Sequence, residues 1–245
     1  MDGALGIRPF NTRSLVLSVL LGLDPPMLSA RALVGVAELF GIAEGTMRTA
    51  LSRMVAAGEL AIGDDGHRLI GRLLERKAAQ DIGRRPATSQ WNGEWWFVAV
   101  LAQRRTVTER RAFRTHMANL RMGELRPETW LRPGNLAGPE ADPALAVTHG
   151  PLMGADPTSL ASRLWPLDDL AAQARRLRAL LDRAQPEGDL PAAITLSAAV
   201  VHFLRAEPLL PASLTPQPWP PDELRQRYRA HDRALGHSLA RIVRG

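Results

Sequence analysis

The N-terminal part of the chain sets apolar stripes against polar faces at the 3.6-residue period of helices. Leu15, Val16, Val19, Leu20 and Leu23 share one stripe. That predicts a helix capped by Asn11 or Thr12 and stopped by Asp24-Pro25-Pro26. Ser29 caps a second helix to about Phe40, with Leu33, Val36, Ala37 and Phe40 apolar, and Gly41 makes the turn. A third covers Ala43 to Ala57 and ends at Gly58, the residue type that closes helices in the left-handed conformation. The period then drops from 3.6 to 2. Leu60 to Ile62 and His67 to Ile70 read as short strands joined by "GDDG", whose Asp-Gly pair signals a hairpin. Three helices followed by a two-stranded hairpin predict a winged helix-turn-helix.

Beyond the hairpin, "GRLLERKAAQDIGRRP" reads as a polar helix ending in an Arg84-Arg85-Pro86 linker. "WNGEWWFVAVL", Trp91 to Leu101, reads as a buried strand, "TERRAFRTHMANLR" as an amphipathic helix, and "GELRPETWLRP" as one or two extended segments. Residues 134–158 are rich in Gly, Pro and Ala and read as loop, with one short strand at Ala144 to His149. From Pro166 the pattern is helical again to the end, broken by prolines between 208 and 221. The expected fold class is therefore α+β, mostly helical. Its parts are a winged helix-turn-helix with a linker helix over 1–90, a small α+β domain over 91–163, and a helical domain over 164–245.

Composition narrows this picture. At 45% hydrophobic and 23% charged over 245 residues, the chain has enough apolar content for two or three globular domains. It has no cysteine, which removes disulfides, thiolate nucleophiles and Cys-based metal sites and fits a reducing, cytoplasmic compartment. Of its 31 basic residues all but Lys77 are arginine, and the regions 1–90, 91–150 and 151–245 each carry a net +2, so no basic tail announces nucleic acid. Arg8 and Arg13 ahead of "SLVLSVLLGL", with "ARA" at 30–32, imitate a signal peptide. The competing reading makes that run the first helix of a domain whose next two helices follow on schedule. The longest later uncharged run, Leu190 to Leu204, is too short for a membrane span.

The third helix divides chemically as well as by hydropathy. Around Leu51, the residues Met47, Met54 and Val55 make a core face; Gly45, Thr46, Thr49 and Arg53 fall opposite, with Arg48 and Ser52 on the flanks. This outward set is small, hydroxylic and cationic, and it lacks the acids common on solvated faces. Small residues let a helix axis approach base edges, hydroxyls bond phosphates, and arginine grips guanine or phosphate. A surface helix with two arginines would look the same. The hairpin tips the reading, since His67 and Arg68 beyond its turn would offer a second cationic tip to the backbone. Thr46, Arg48, Thr49, Ser52, Arg53, His67 and Arg68 are thus the candidate DNA contacts.

Other signals are weaker. The six histidines show no i, i+4 pair and no HExxH, and GxSxG, GxGxxG and the phosphate-loop motif are absent. Trp91, Trp95 and Trp130 gather around one predicted sheet, where they serve either as core or as the platform for an apolar ligand or a dimer partner. Arg110, Arg111 and Arg114 lie on the amphipathic helix, as a solvated basic face or as the holder of an anion. Trp91, Trp95, Arg110, Arg114 and Trp130 are the candidate effector contacts; no catalytic or metal site is expected.

The whole chain resembles the PaaX-like transcriptional repressors of phenylacetate catabolism. The likeness rests on "TRSLVLSVLLGL", "GIAEGTMRTALSRMVAAGEL", "LLERKAAQDIGRRPATSQWNGEWWFVAV", "MGELRPETWLRP" and "RAEPLLPASLTPQPWPPDELRQRYRAHDRAL". The helix fragment alone is shared in style with GntR-like repressors, whereas the linker-plus-tryptophan run and the Pro-rich string are more specific. The resemblance implies a cytoplasmic homodimeric repressor that binds palindromic operator DNA and releases it on binding an aryl- or acyl-CoA effector such as phenylacetyl-CoA. It also implies a ferredoxin-like middle domain similar to that of Cas2 nucleases. Here the first strand of that domain ends "VAVLAQRR" without an acidic residue, so the fold carries over and the nuclease activity does not. The alternatives are a metal-dependent nuclease or RNA-processing enzyme on the middle domain, and an adaptor whose winged helix binds protein.

Overall fold

The computed structural model describes residues 10–86, 88–101 and 105–244. Arg8, and the end of the "VAVLAQRR" segment at 102–104, lie outside the described residues. The described residues form a mixed α+β structure with two antiparallel sheets, and none of their helices is long and apolar enough to cross a membrane. The chain divides into two compact units. Residues 1–80, 176–202 and 223–245 make the first, and 81–175 and 203–222 the second, so residues 164–245 are shared between them.

In the first unit, α1 (Thr12–Gly22), α2 (Ala30–Leu39) and α3 (Glu44–Ala56) follow one another closely. The Asn11 side chain caps α1 by accepting from the Ser14 N–H at 2.8 Å, and Ser29 caps α2 through the Ala32 N–H at 3.2 Å. Gly58, at φ 67°, closes α3 as expected. The hairpin is β2 (Leu60–Gly63) and β3 (Gly66–Leu69). A strand the sequence pattern did not announce, β1 (Met27–Leu28), lies on the far side of β3, so the sheet order is β1-β3-β2. Gly66 makes this possible: it sits at φ 123°, and a Cβ there would run into the Leu28 carbonyl. The rest of the unit comes from α7 (Leu167–Arg183), α8 (Leu190–Ala206) and α9 (Pro220–Arg244), of which residues 176–183, 190–202 and 223–244 belong here. Ala193, Ile194, Leu235 and Leu239 join the same buried cluster as Leu15, Leu20, Leu33 and Met47.

In the second unit, β4 (Glu94–Val100), α5 (Val107–Asn119), β5 (Gly123–Arg126), β6 (Thr129–Pro133) and β7 (Leu145–Pro151) form an antiparallel sheet in the order β5-β6-β4-β7. Register decides the layers. Val98 opposes Trp130 and Val147, and these face α5 through Phe113 and Met117. Trp95 and Leu131 face the other way, onto α6 (Pro157–Leu164), Trp165, Leu214 and Trp219. Helix α6 falls partly in the stretch expected as loop; Asp156 caps it through the Ser159 N–H at 2.7 Å, with Pro157 in its first turn. Between β6 and β7 runs a loop rather than a helix. Arg132 holds it by donating to the Leu136 and Ala137 carbonyls, and Trp96 packs against Gly138. Burial, and next the charge of Arg121, push the Arg132 guanidinium down to about 10, which leaves it charged at neutral pH.

Leu20 is fully buried in the first unit's core. Leu20→Ala should lower unfolding free energy by about 2–5 kcal/mol, read by denaturant unfolding with the m-value unchanged.

Candidate nucleic-acid interface

Helix α3 starts at Ala43 without a side-chain cap, and Glu44 stands in its first turn. Met47, Leu51 and Met54 are buried, while Thr46, Arg48, Thr49, Ser52 and Arg53 are all exposed. The face division expected from periodicity is the one observed. Arg48 is tied along the helix to Glu44, Nε to Oε1 at 2.7 Å. The Thr49 hydroxyl donates to the Gly45 carbonyl at 2.8 Å, which leaves its lone pairs to accept from outside. Arg53 has no hydrogen-bond or ion-pair partner among the described residues.

Thr46, Thr49 and Arg53 line a cleft of about 700 Å³ whose opposite wall is the start of α1: Asn11, Thr12 and Arg13. Sequence reasoning missed that wall, although Arg13 stood in view beside a cap residue. Arg13 forms an ion pair with Glu59, which also lines the cleft. Their hydrogen bond lowers the Glu59 carboxyl below the usual range and raises the Arg13 guanidinium. Arg13 therefore stays charged and held in place rather than trailing into solvent.

The hairpin behaves differently from expectation at one residue. His67 is not a cationic tip: as part of the central strand it pairs with Leu28 on one side and Ile62 on the other, and it is only 9% exposed. Desolvation lowers its pKa, so at neutral pH it is uncharged. Arg68, next along β3, is exposed, and Ile62 on β2 is 67% exposed. Register puts Arg68 on one face of this sheet beside Ala61 and Met27, and Ile62 on the other, opposite His67.

The five candidate effector contacts are not brought together. Trp95 and Trp130 are both buried, on opposite faces of the sheet. Trp91 packs edge-on against Trp95 at 5.9 Å between ring centres and donates its indole N–H to the Glu94 carbonyl. Arg114 pairs with Glu124 at 3.1 Å on the surface, and Arg110 is exposed on the same helix. A cleft that sequence reasoning did not find lies elsewhere, between α7 and α8 in the first unit. It holds about 580 Å³, with Leu180, Ala184, Ala192, Ala193 and Leu196 as apolar lining and Arg176 and Arg183 beside them. Among the described residues no group of three or more His, Asp or Glu side chains is placed to hold a metal ion.

The PaaX-like protein family matches residues 11–77, the span from the α1 cap into α4 (Arg72–Arg84). A solved structure, an uncharacterized protein Rv0674 from Mycobacterium tuberculosis, is similar over 95% of this chain and 98% of its own, with 36% sequence identity and a TM-score of 0.76. No curated protein matches.

The buried histidines set a pH dependence. His67 and His231, the latter mainly through burial, have pKa values lowered in the folded state, so the unfolded chain binds more protons just below the ordinary histidine value. Stability should hold above about pH 6.5 and fall as pH drops through that value. His67→Gln should flatten part of the fall in thermal melts between pH 5 and 8. An unchanged slope would place the effect on His231 alone.

Proposed function

The chain belongs to the PaaX-like family, and from that premise we propose that it is a DNA-binding transcriptional repressor whose reader is a winged helix-turn-helix over residues 10–71. The observation that carries this reading is the exposed face of α3, where Thr46, Thr49, Ser52 and Arg53 face outward and Thr46, Thr49 and Arg53 line a cleft walled by the start of α1, its one carboxylate, Glu59, being paired with Arg13. Helix α2, the turn at Phe40 to Ala43 and α3 supply the helix-turn-helix. A helix such as α3 is about 10–12 Å across with its side chains, which fits a major groove about 12 Å wide. Arg53 is the base or groove-wall contact, and Arg48, already paired with Glu44, is a phosphate contact that gives up part of that pairing. Arg13 and Arg68 flank the groove on either side; His67 holds the wing from inside.

The sheet order β5-β6-β4-β7, antiparallel throughout with α5 between its first two strands, supports a ferredoxin-like reading of the second unit. In it a loop stands where that fold has its second helix. The protein acts as a homodimer in the cytoplasm, and its operon is one of aromatic-acid, phenylacetate-type catabolism. An aryl- or acyl-CoA thioester releases it from the operator. For that effector the α7–α8 cleft is a better seat than the tryptophans, because it joins an apolar lining to two arginines that suit phosphates.

Binding to the DNA upstream of the protein's own gene, measured at two salt concentrations, tests the reader. Arg53→Ala should lose roughly 1–3 kcal/mol of affinity, while Glu187→Ala, on the surface, should bind like the parent. Affinity should fall steeply with salt; an Arg53→Ala protein that binds unchanged would sink the groove assignment. For the effector, Arg183→Glu should leave DNA affinity intact and raise, by tenfold or more, the phenylacetyl-CoA needed for release. Unaltered release would exclude the α7–α8 cleft.

A further inference from the structure

The two edges of the four-stranded sheet are built in opposite ways. Edge strand β5 has four residues, carries Glu124 and Arg126, and breaks register between them, and the Leu164 and Trp165 side chains lie against its Gly123. Short length, charge, a bulge and a covering element are the devices by which proteins keep an edge from pairing. Among the described residues, edge strand β7 has none of them. It runs seven residues in unbroken register with β4, has no acidic residue, Lys or Arg, and none of its residues is buried. Its only proline is the last residue, Pro151.

Hydrogen-bond parity shows what this edge offers. The Leu101 N–H donates to the Ala144 carbonyl, so the even positions of β7 bond to β4 and the odd ones turn outward. Val147 and His149 therefore point both their N–H and C=O groups to the open side. An exposed apolar side chain, Met153 at 90%, stands two residues past its finish.

We propose that β7 is the interface with a second copy of this chain, the two strands pairing antiparallel about a twofold axis at Thr148 to join two four-stranded sheets into one of eight. Such pairing is self-complementary. Val147 of each copy exchanges both backbone bonds with His149 of the other, four in all, and no charges oppose across the axis. The alternative of β7 on another copy's β5 would be head-to-tail and open-ended, and β5 is guarded. Met153 extends the contact beyond the strand. This rests on the preceding reading only for the existence of a dimer; it does not need the DNA assignment.

The absence of cysteine makes the test direct. Directly opposed residues at a non-hydrogen-bonded position stand about 4.5 Å apart at Cα, within disulfide reach. Under mild oxidant, Thr148→Cys should form a covalent dimer and Thr108→Cys, on exposed α5, should not. By light scattering without DNA, the parent should be dimeric. Val147→Pro, which removes an outward N–H that an edge tolerates losing, should be monomeric, and so should Thr148→Glu, which sets like charges opposite each other across the axis. A monomeric parent, folded variants that stay dimeric, or equal cross-linking at 148 and 108 would each overturn the interface. A dimeric parent that fails to bind DNA would instead overturn the repressor reading and leave the interface standing.

Discussion

The burial of α1 is the constraint on which the proposed DNA reader depends. Leu15, Val16, Leu17, Val19, Leu20 and Leu21 are all buried, which covers more than one face of an eleven-residue helix. A helix apolar on every side needs cover on every side, and α2, α3 and a short hairpin do not supply it. The missing cover is reached through Ala193, Ile194, Leu235 and Leu239, more than a hundred residues later in the sequence. The approach of Ile242 to Gly35 at 3.1 Å from where a Cβ would stand shows how closely α9 seats on α2. The segment from α1 to β3 is therefore not a detachable module, and its geometry is set in part by the C-terminal helices.

That same burial explains a feature that misleads when the chain is read alone. "SLVLSVLLGL" imitates the apolar core of a signal peptide because nearly every position is inside. An amphipathic stripe was expected at 15, 16, 19, 20 and 23; Leu17 and Leu21 are buried as well, while Leu23 is only half-buried. Helix α3 behaves as its pattern says, since a helix covered on one side only must show a moment. Its outward residues were legible one by one because their exposure follows from angle alone.

Where pairing partners decide, local pattern falls short. His67 alternates correctly with Arg68 for a half-exposed hairpin, and only β1 makes it central. Two residues after a double proline carry too little pattern to show a strand. Trp95 and Trp130 stand on one sheet as expected, yet the register that sets Trp130 opposite Val98 sends the two rings to opposite faces. No reading of composition yields that parity. Helix α6 is different: Asp156-Pro157 is a legible start signal, and it was hidden by the Gly, Pro and Ala richness around it.

The α7–α8 cleft and the reader share a wall. Ala193 lines the cleft and belongs to the cluster that includes Met47 and Leu51 of α3, and its carbonyl accepts from the buried His231 ring at 3.2 Å. Close-packed cores do not deform smoothly; they move between discrete packings. A molecule that binds this cleft more tightly in one packing of α8 than in another shifts the chain toward that packing by its difference in affinity. Because α8 and α3 fill one core, the proposed release by an effector needs no contact between ligand and DNA. An effector seated among Trp91, Trp95 and Trp130 would have to act by another route, since those rings belong to the second unit's own clusters.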